Sequence, residues 1–366
     1  MDILLFLVSF ILILVGCEFF TNGVEWLGKK FDLEEGAVGS VLAAVGTAMP
    51  ETLVPLIAIV LVGGEAGEEI GAGAILGSPF MIATLAMFMC GLAVFLFRKK
   101  RERDTLAIEG HLVRRDLKFF LLAYGLAGTA ALLPKELEIV KWLIGFSLFP
   151  IYIYYMSICI RSSGQEGDED EEMEELLLHK TLKRLNGNGT NKEETIQDDA
   201  SEAFRKAVYK SEPGLLLIIV QIALGLTGIL LGATMFVDQI EALAGSIGLN
   251  PLLLALIVAP IATELPEMFN AVIWVRSGKD TYAMGNLTGA MVFQSCIPVT
   301  IGVLLTGWTL NLSVNVELLQ AICIEFALLS AVILFMRSKV AEIRYSQLML
   351  GGAFYVIFMA LVLMLG

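Results

Sequence analysis

Nothing in this sequence is spaced for a disulfide framework or a zinc site. The five cysteines, Cys17, Cys90, Cys159, Cys296 and Cys323, are scattered through apolar runs without a pairing pattern. That excludes the disulfide-stapled and zinc-ribbon classes and leaves the cysteines as small core residues. The only two histidines, His111 and His179, fall between apolar runs, where they are expected to be solvated. An acid-rich stretch, GQEGDEDEEMEE, lacks the twelve-residue EF-hand loop with its central Gly and closing Glu. Met1-Asp2 offers no basic n-region, and the first apolar run continues to about Trp26, too long for the core of a cleavable signal. No cofactor motif and no nucleic-acid partner is indicated.

What the chain has in quantity is apolar length. Of its 366 residues 57% are hydrophobic, with a mean hydropathy of +0.77, against roughly 45–50% in ordinary soluble domains. Runs long enough to cross a bilayer, about twenty residues each, occupy 2–27, 37–62, 69–97, 117–134, 138–160, 213–237, 248–275, 281–306, 316–336 and 346–365. The expected fold is an all-α polytopic membrane protein with ten transmembrane helices.

Positive charge sets the expected orientation. With the N-terminus outside, Lys29, Lys30, the Arg98–Lys118 cluster, the 161–212 segment, Arg276, Lys279, Arg337, Lys339 and Arg344 all face inward, leaving Lys135 and Lys141 on the far side. Lys and Arg favour the cytoplasmic side, so both termini are expected outside a cell membrane and 161–212 in the cytoplasm. The net charge of −13 comes largely from the one acidic stretch GQEGDEDEEMEE within that segment and says little about partners of the membrane part.

The chain divides into a first membrane repeat (1–160), an acidic and partly flexible cytoplasmic loop (161–212) and a second membrane repeat (213–366). Five spans per half is an odd number, so the second half enters the membrane inverted relative to the first. The halves are also alike. An offset of 216 pairs Gly16 with Gly232, Phe20 with Phe236, Glu25 with Glu241, Ala43 with Ala259, Thr47 with Thr263, Pro50 with Pro266 and Glu51 with Glu267. An offset of 212 then pairs Gly73 with Gly285 and Gly77 with Gly289. Two inverted five-helix repeats are therefore expected, an architecture that places substrate near the bilayer midplane between repeats. Within the loop, Leu176, Leu177, Leu178, Leu182 and Leu185 suit a short amphipathic helix on the membrane surface or against a partner.

The paired motifs carry the chemistry. GTAMPE at 46–51 and ATELPE at 262–267 each put a Glu beside a Pro within an apolar span. A charge at that depth costs about 2.5–3.5 kcal/mol on insertion scales, so it demands a partner or a function. Pro50 and Pro266 have no amide hydrogen and are expected to loosen the turns at Thr47 and Thr263, freeing carbonyls that can line a cation site. Two carboxylates and several neutral oxygens suit Ca2+, which takes about 6–8 oxygen ligands. Each copy alone supplies too few; two facing copies supply enough. The bland alternative is a packing kink and a Glu paired elsewhere. Ser78, Asn286 and Gln294 are polar residues in the Gly-rich spans GAGAILGSPF and AMGNLTGAMVFQ, and both interhelical hydrogen bonding and cation ligation remain open for them.

These motifs resemble the two alpha repeats of the cation/Ca2+ exchanger superfamily, most closely the Na+/Ca2+ exchangers, whose signatures have the form G-T-S-x-P-E followed by G-N-x-x-G-S-N-x-x-(N/D). The resemblance covers both halves and implies Ca2+ ligation by Glu51, Glu267 and the backbone carbonyls of Thr47 and Thr263. It also locates the departures. The signature Ser is replaced by Ala48 and Glu264, the first repeat has Ala74, Pro79 and Ile82 at polar positions, and the second has Ala290, Met291 and Gln294. Several oxygens that would bind Na+ are thereby absent. Glu264, three residues from Glu267 on nearly the same helix face, is a candidate proton carrier or additional cation ligand, because crowded like charges in a low-dielectric site favour retention of a proton; pairing with another polar group is the alternative.

The expected function is secondary antiport of Ca2+ or a related cation for Na+ by alternating access, with an H+-coupled antiporter using Glu264 as the alternative. The expected partners are inorganic cations and the lipid bilayer, and a monomer is compatible with the sequence. A cation channel using the same acids, or an intramembrane hydrolase, is disfavoured: the acids sit on Pro-kinked repeats without a catalytic water motif, so no enzyme is expected.

Overall fold

In this computed structural model, residues 3–30, 49–163, 175–187, 213–339 and 342–366 are described. Thr47, the first half of the 37–62 span and most of the 161–212 loop lie outside the described residues. The architecture is helical apart from one two-stranded sheet. In chain order the helices are α1 (Ile3–Lys30), α2 (Pro50–Ile57), α3 (Gly64–Met81), α4 (Met87–Arg101), α5 (Gly110–Leu132), α6 (Glu138–Ser163), α7 (Leu177–Gly187), α8 (Leu215–Ile247), α9 (Pro251–Ser277), α10 (Asp280–Leu305), α11 (Asn315–Arg337), α12 (Tyr345–Leu348) and α13 (Leu350–Leu365).

Eight helical stretches among the described residues are long and apolar enough to cross a membrane. The continuous helix Gly64–Arg101 counts as one of them, with α3 and α4 joined through a π-turn at Ile82–Ala86. Two of the ten expected spans are not among the eight. The described part of the second is the shorter apolar helix Pro50–Val62. The fourth is α5, a full 23-residue helix whose first turns carry Arg114, Arg115, Asp116 and Lys118.

The helices form two compact units. The larger comprises Met1–Phe6, Glu51–Tyr155 and Thr234–Gly366. Its centre is the pairing of α3 with α9, and glycine makes that pairing close. A methyl group built on Gly73 would lie 3.0 Å from the amide nitrogen of Leu256, and one on Gly77 would lie 2.6 Å from Cγ of Pro260. No side chain fits between these backbones, so the two helices meet at the small-residue spacing usual in membranes. The π-turn after α3 also has a partner: the carbonyl of Ala83 accepts the hydroxyl of Ser330 from α11 at 2.5 Å. A widened turn leaves carbonyls off the regular ladder, and here a side chain satisfies one.

At one end of this unit β1 (Thr105–Ala107) pairs antiparallel with β2 (Glu342–Arg344), placing buried Leu106 opposite buried Ile343. Beside the sheet, Arg101 makes a bidentate ion pair with Asp280 at 2.7 and 2.6 Å, with both side chains 3% exposed or less. Arg101 also donates to the carbonyls of Val275 and Thr105, while the amide of Ala107 donates to Asp280 at 2.9 Å. One ion pair thus ties together the ends of α4, α9 and α10 and the sheet.

The second unit comprises Leu7–Pro50 and Met156–Ala233. Here α1 crosses α8 through glycines, with a methyl built on Gly16 falling 2.8 Å from the amide nitrogen of Ile229. The amphipathic helix expected in the loop is present as α7, and its partner lies in this same unit. Leu176, Leu178 and Leu182 pack with Trp26 and Leu27 of α1 and with Leu217, Ile218 and Ile222 of α8. Its first amides are held by side chains: Asn22 Oδ1 accepts from Leu177 and Gln221 Oε1 from Leu178, at 3.0 and 2.8 Å. The expectation that His179 is solvated is corrected by this docking, since it is only 2% exposed; His111 is exposed as expected.

Candidate cation site

Three carboxylates meet inside the larger unit. Glu51 stands in the first turn of α2, directly after Pro50, whose fixed φ and missing amide suit a helix start. Glu264 and Glu267 stand in α9, one turn apart and therefore on one face. Their exposures are 3%, 0% and 6%. One carboxylate oxygen from each can be chosen so that all three lie within 4.8 Å of one another. Among the described residues this is the only group of three or more acids, histidines or cysteines close enough to hold one metal ion.

The cluster has more acceptors than donors. Both oxygens of Glu51, Oε2 of Glu264 and Oε2 of Glu267 are buried without a hydrogen-bond partner. Burying one polar atom unsatisfied costs about 1–3 kcal/mol, more when it is charged, so four unpartnered acceptors on three neighbouring acids call for a cation or protons among them. Gln294 Nε2 of α10 donates to Glu264 Oε1 at 2.7 Å, and the hydroxyl of Ser78 in α3 is a second hydrogen-bond partner of Glu264. Two residues left open by the sequence are thus brought to the acids.

Two other expectations fare differently. The turn before Pro266 stays within α9, which is helical from Pro251 to Ser277; Pro260, also inside this helix, packs against Gly77 of α3. Pro266 still gives no amide hydrogen to the turn before it, and Thr263, 3% exposed, directs its hydroxyl to the carbonyl of Ala259 at 3.4 Å. Asn286 lies eight residues before Gln294, about 12 Å along the helix axis, and its Nδ2 is buried without a hydrogen-bond partner.

A further polar group escaped the sequence reading. Asp116 at the start of α5 is 2% exposed and accepts from Thr288 of α10 at 2.7 Å, from Tyr155 of α6 at 3.1 Å and from Arg115 at 3.1 Å. Thr288 and Tyr155 are far away in sequence, so no local pattern marks it.

A family model described as "Sodium/calcium exchanger protein" matches residues 1–161 and 217–365, most of the chain. The chain belongs to the sodium/calcium exchanger family. This is a transporter family and not an enzyme family, and its member here is a multi-pass membrane protein. Among curated proteins the chain is 23% identical over 328 residues to the inner membrane protein YrbG of Escherichia coli, covering 89% of this chain and 87% of that one. Among solved structures it is similar to the H+/Ca2+ exchanger CAX, with a TM-score of 0.64, 16% identity and coverage of 99% and 81%. It is also similar to the sodium-calcium exchanger NCX_Mj, with a TM-score of 0.54, 18% identity and coverage of 98% and 97%. At such identities the two structures establish the fold this family member shares, and they leave the counter-ion to the site's own chemistry.

Proposed function

We propose that this protein is a secondary active antiporter that moves Ca2+ or a related divalent cation against a monovalent counter-ion by alternating access, through ten spans in two inverted repeats. The observation that carries the reading is the cluster of Glu51, Glu264 and Glu267. Three buried carboxylates within 4.8 Å of one another, four of their oxygens without a hydrogen-bond partner, form a hard-oxygen site matched to a divalent cation. Thr47, Thr263, Ser78 and Gln294 complete the proposed ligand set, with Thr47 and Thr263 acting through backbone carbonyls; Asn286, about 12 Å along α10 from Gln294, stands apart from it.

Charge balance favours H+ as the counter-ion. When the divalent ion leaves, three buried carboxylates at this separation cannot all remain ionised without another positive charge, and Glu264, standing where the family has a Ser, is the acid added to the pair. Protons replacing the cation would close the cycle. Na+ is the second reading, favoured by the retained pair Glu51 and Glu267 on matching Pro-Glu motifs. The termini are placed outside the cell membrane and the 161–212 loop in the cytoplasm, following the positive charges.

Equilibrium Ca2+ binding to the purified protein tests the site. A unit charge 4 Å away is worth about 4 kcal/mol at an effective dielectric of 20, so Glu51→Gln and Glu267→Gln are each expected to weaken Ca2+ binding at least ~100-fold. Unchanged binding in both variants would remove the site from these residues.

A further inference from the structure

We infer that the first two turns of α5 form a binding site for an anionic phospholipid head group, separate from the carboxylate cluster. His111, Arg114, Arg115, Lys118 and Phe119 surround an open pocket of about 370 Å³. Their spacing along the helix is three, one, three and one residues, so they share one face. The inference rests on the chain spanning a membrane and not on which ion it moves.

Two of the cations are positioned in advance. The guanidinium of Arg114 donates to the carbonyl of Phe335 in α11 at 2.9 Å and lies 4.1 Å over that residue's ring. Arg115 is held by Asp116 at 3.1 Å and lies 5.6 Å over the ring of Tyr155. Lys118 and His111 are exposed at the rim. Held side chains lose little conformational freedom when an anion arrives.

The surroundings select a lipid over a soluble anion. One turn further along the helix Phe119 packs against Tyr154 and Tyr155, with ring centroids 6.0 and 5.2 Å apart. Tyr154 is 63% exposed and Leu122, the next outward position, 51%. Cations at the rim, aromatic rings beneath them and apolar surface beyond reproduce the order of a head group, the bilayer interface and the acyl region. A free phosphate needs only the first of these layers. Counting Arg114, Arg115 and Lys118 against Asp116 and against Glu109, 3.9 Å from His111, leaves the pocket one positive charge with His111 neutral. That balance fits a phosphodiester with a single negative charge, such as phosphatidylglycerol.

Native mass spectrometry of the full chain, delipidated in detergent and titrated with phosphatidylglycerol or phosphatidylcholine of equal chain length, tests this. Each cation near a bilayer surface favours an anionic lipid by about five-fold. The wild type should therefore retain one phosphatidylglycerol at least ~five-fold more tightly than phosphatidylcholine, and Arg114→Gln/Lys118→Gln should lose that preference. Lys99→Gln/Lys100→Gln, which removes two exposed cations elsewhere, should keep it. The single exposed substitution Lys118→Glu, which leaves the core untouched, should also abolish the preference while the thermal midpoint stays at the wild-type value. Equal retention of both lipids by the wild type, or an unchanged preference in Lys118→Glu, would overturn the inference. So would binding of glycerol 3-phosphate as tight as that of the lipid, which would mark a soluble-anion site.

Discussion

The side-chain amide of Gln294 donates a 2.7 Å hydrogen bond to Oε1 of Glu264, joining α10 to α9 at the carboxylate cluster. It links the second Gly-rich span directly to an acid of the second Pro-Glu motif. Both residues are at most 1% exposed, so no water takes over if the donor is removed. A hydrogen bond to a charged group is worth about 1.5–3 kcal/mol, and its loss leaves Glu264 with one side-chain donor fewer.

Replacement of Gln294 by Leu should therefore reduce the exchange rate by about ten- to 100-fold, with the protein still folded. Gln294→Glu should be more severe, because it places a fourth carboxyl beside Glu264. Initial rates of Ca2+ uptake into proteoliposomes, read beside the thermal midpoint in detergent, separate a lost site from a lost fold.

The contact of Gly77 with α9 predicts a stability effect. Its missing side chain admits Pro260 and the backbone of Leu256, and overpacking such a contact costs about 1–3 kcal/mol. Gly77→Val should lower the thermal midpoint clearly and Gly77→Ala less so, as measured by thermal unfolding in detergent. Equal midpoints for wild type and Gly77→Val would mean that α3 and α9 do not meet here.

The Arg101–Asp280 pair makes a different prediction. Removing one partner of a buried ion pair leaves an uncompensated charge and costs about 3–5 kcal/mol, whereas an apolar pair of similar volume is often tolerated. Asp280→Asn or Arg101→Met alone should destabilise the protein severely, and Arg101→Met/Asp280→Leu should recover much of the loss. A double variant as unstable as the sum of the singles would show that the hydrogen bonds to Val275, Thr105 and Ala107 matter more than charge balance.

Docking of α7 depends on two side chains from neighbouring helices. Asn22 and Gln221 accept the amides of Leu177 and Leu178, and Gln221 also donates to Asn22 at 2.8 Å. Gln221→Leu removes one acceptor and the side-chain link, so hydrogen exchange over 177–187 should accelerate by about ten-fold, the equivalent of ~1.4 kcal/mol. Unchanged exchange would assign the docking to the leucine contacts alone.

The parts of this architecture legible in the sequence were those with a repeated local pattern. Apolar length marks the spans, and the recurrence of Pro-Glu at 50–51 and 266–267 marks two of the three clustered acids. Glu264 was visible because it departs from the resembled signature. Geometry was needed where choices depend on partners: Ser78 and Gln294 face Glu264, while Asn286 has an unpartnered amide nitrogen on the same helix as Gln294. Local sequence shows the missing amide of Pro266 and not that α9 continues past it, helical from Pro251 to Ser277. Arg101 with Asp280, and Asp116 with Thr288, are separated by 179 and 172 residues, and no periodicity spans such distances.

Ca2+ uptake into proteoliposomes under an outward H+ gradient or an outward Na+ gradient, imposed separately, tests the exchange at Glu51, Glu264 and Glu267 most directly. The account predicts uptake driven by the H+ gradient, abolished by Glu51→Gln and uncoupled from protons by Glu264→Ser. Uptake driven by Na+ alone, with the same coupling in Glu264→Ser, would contradict the proton role of Glu264. Ca2+ flux that needs neither gradient would contradict exchange itself.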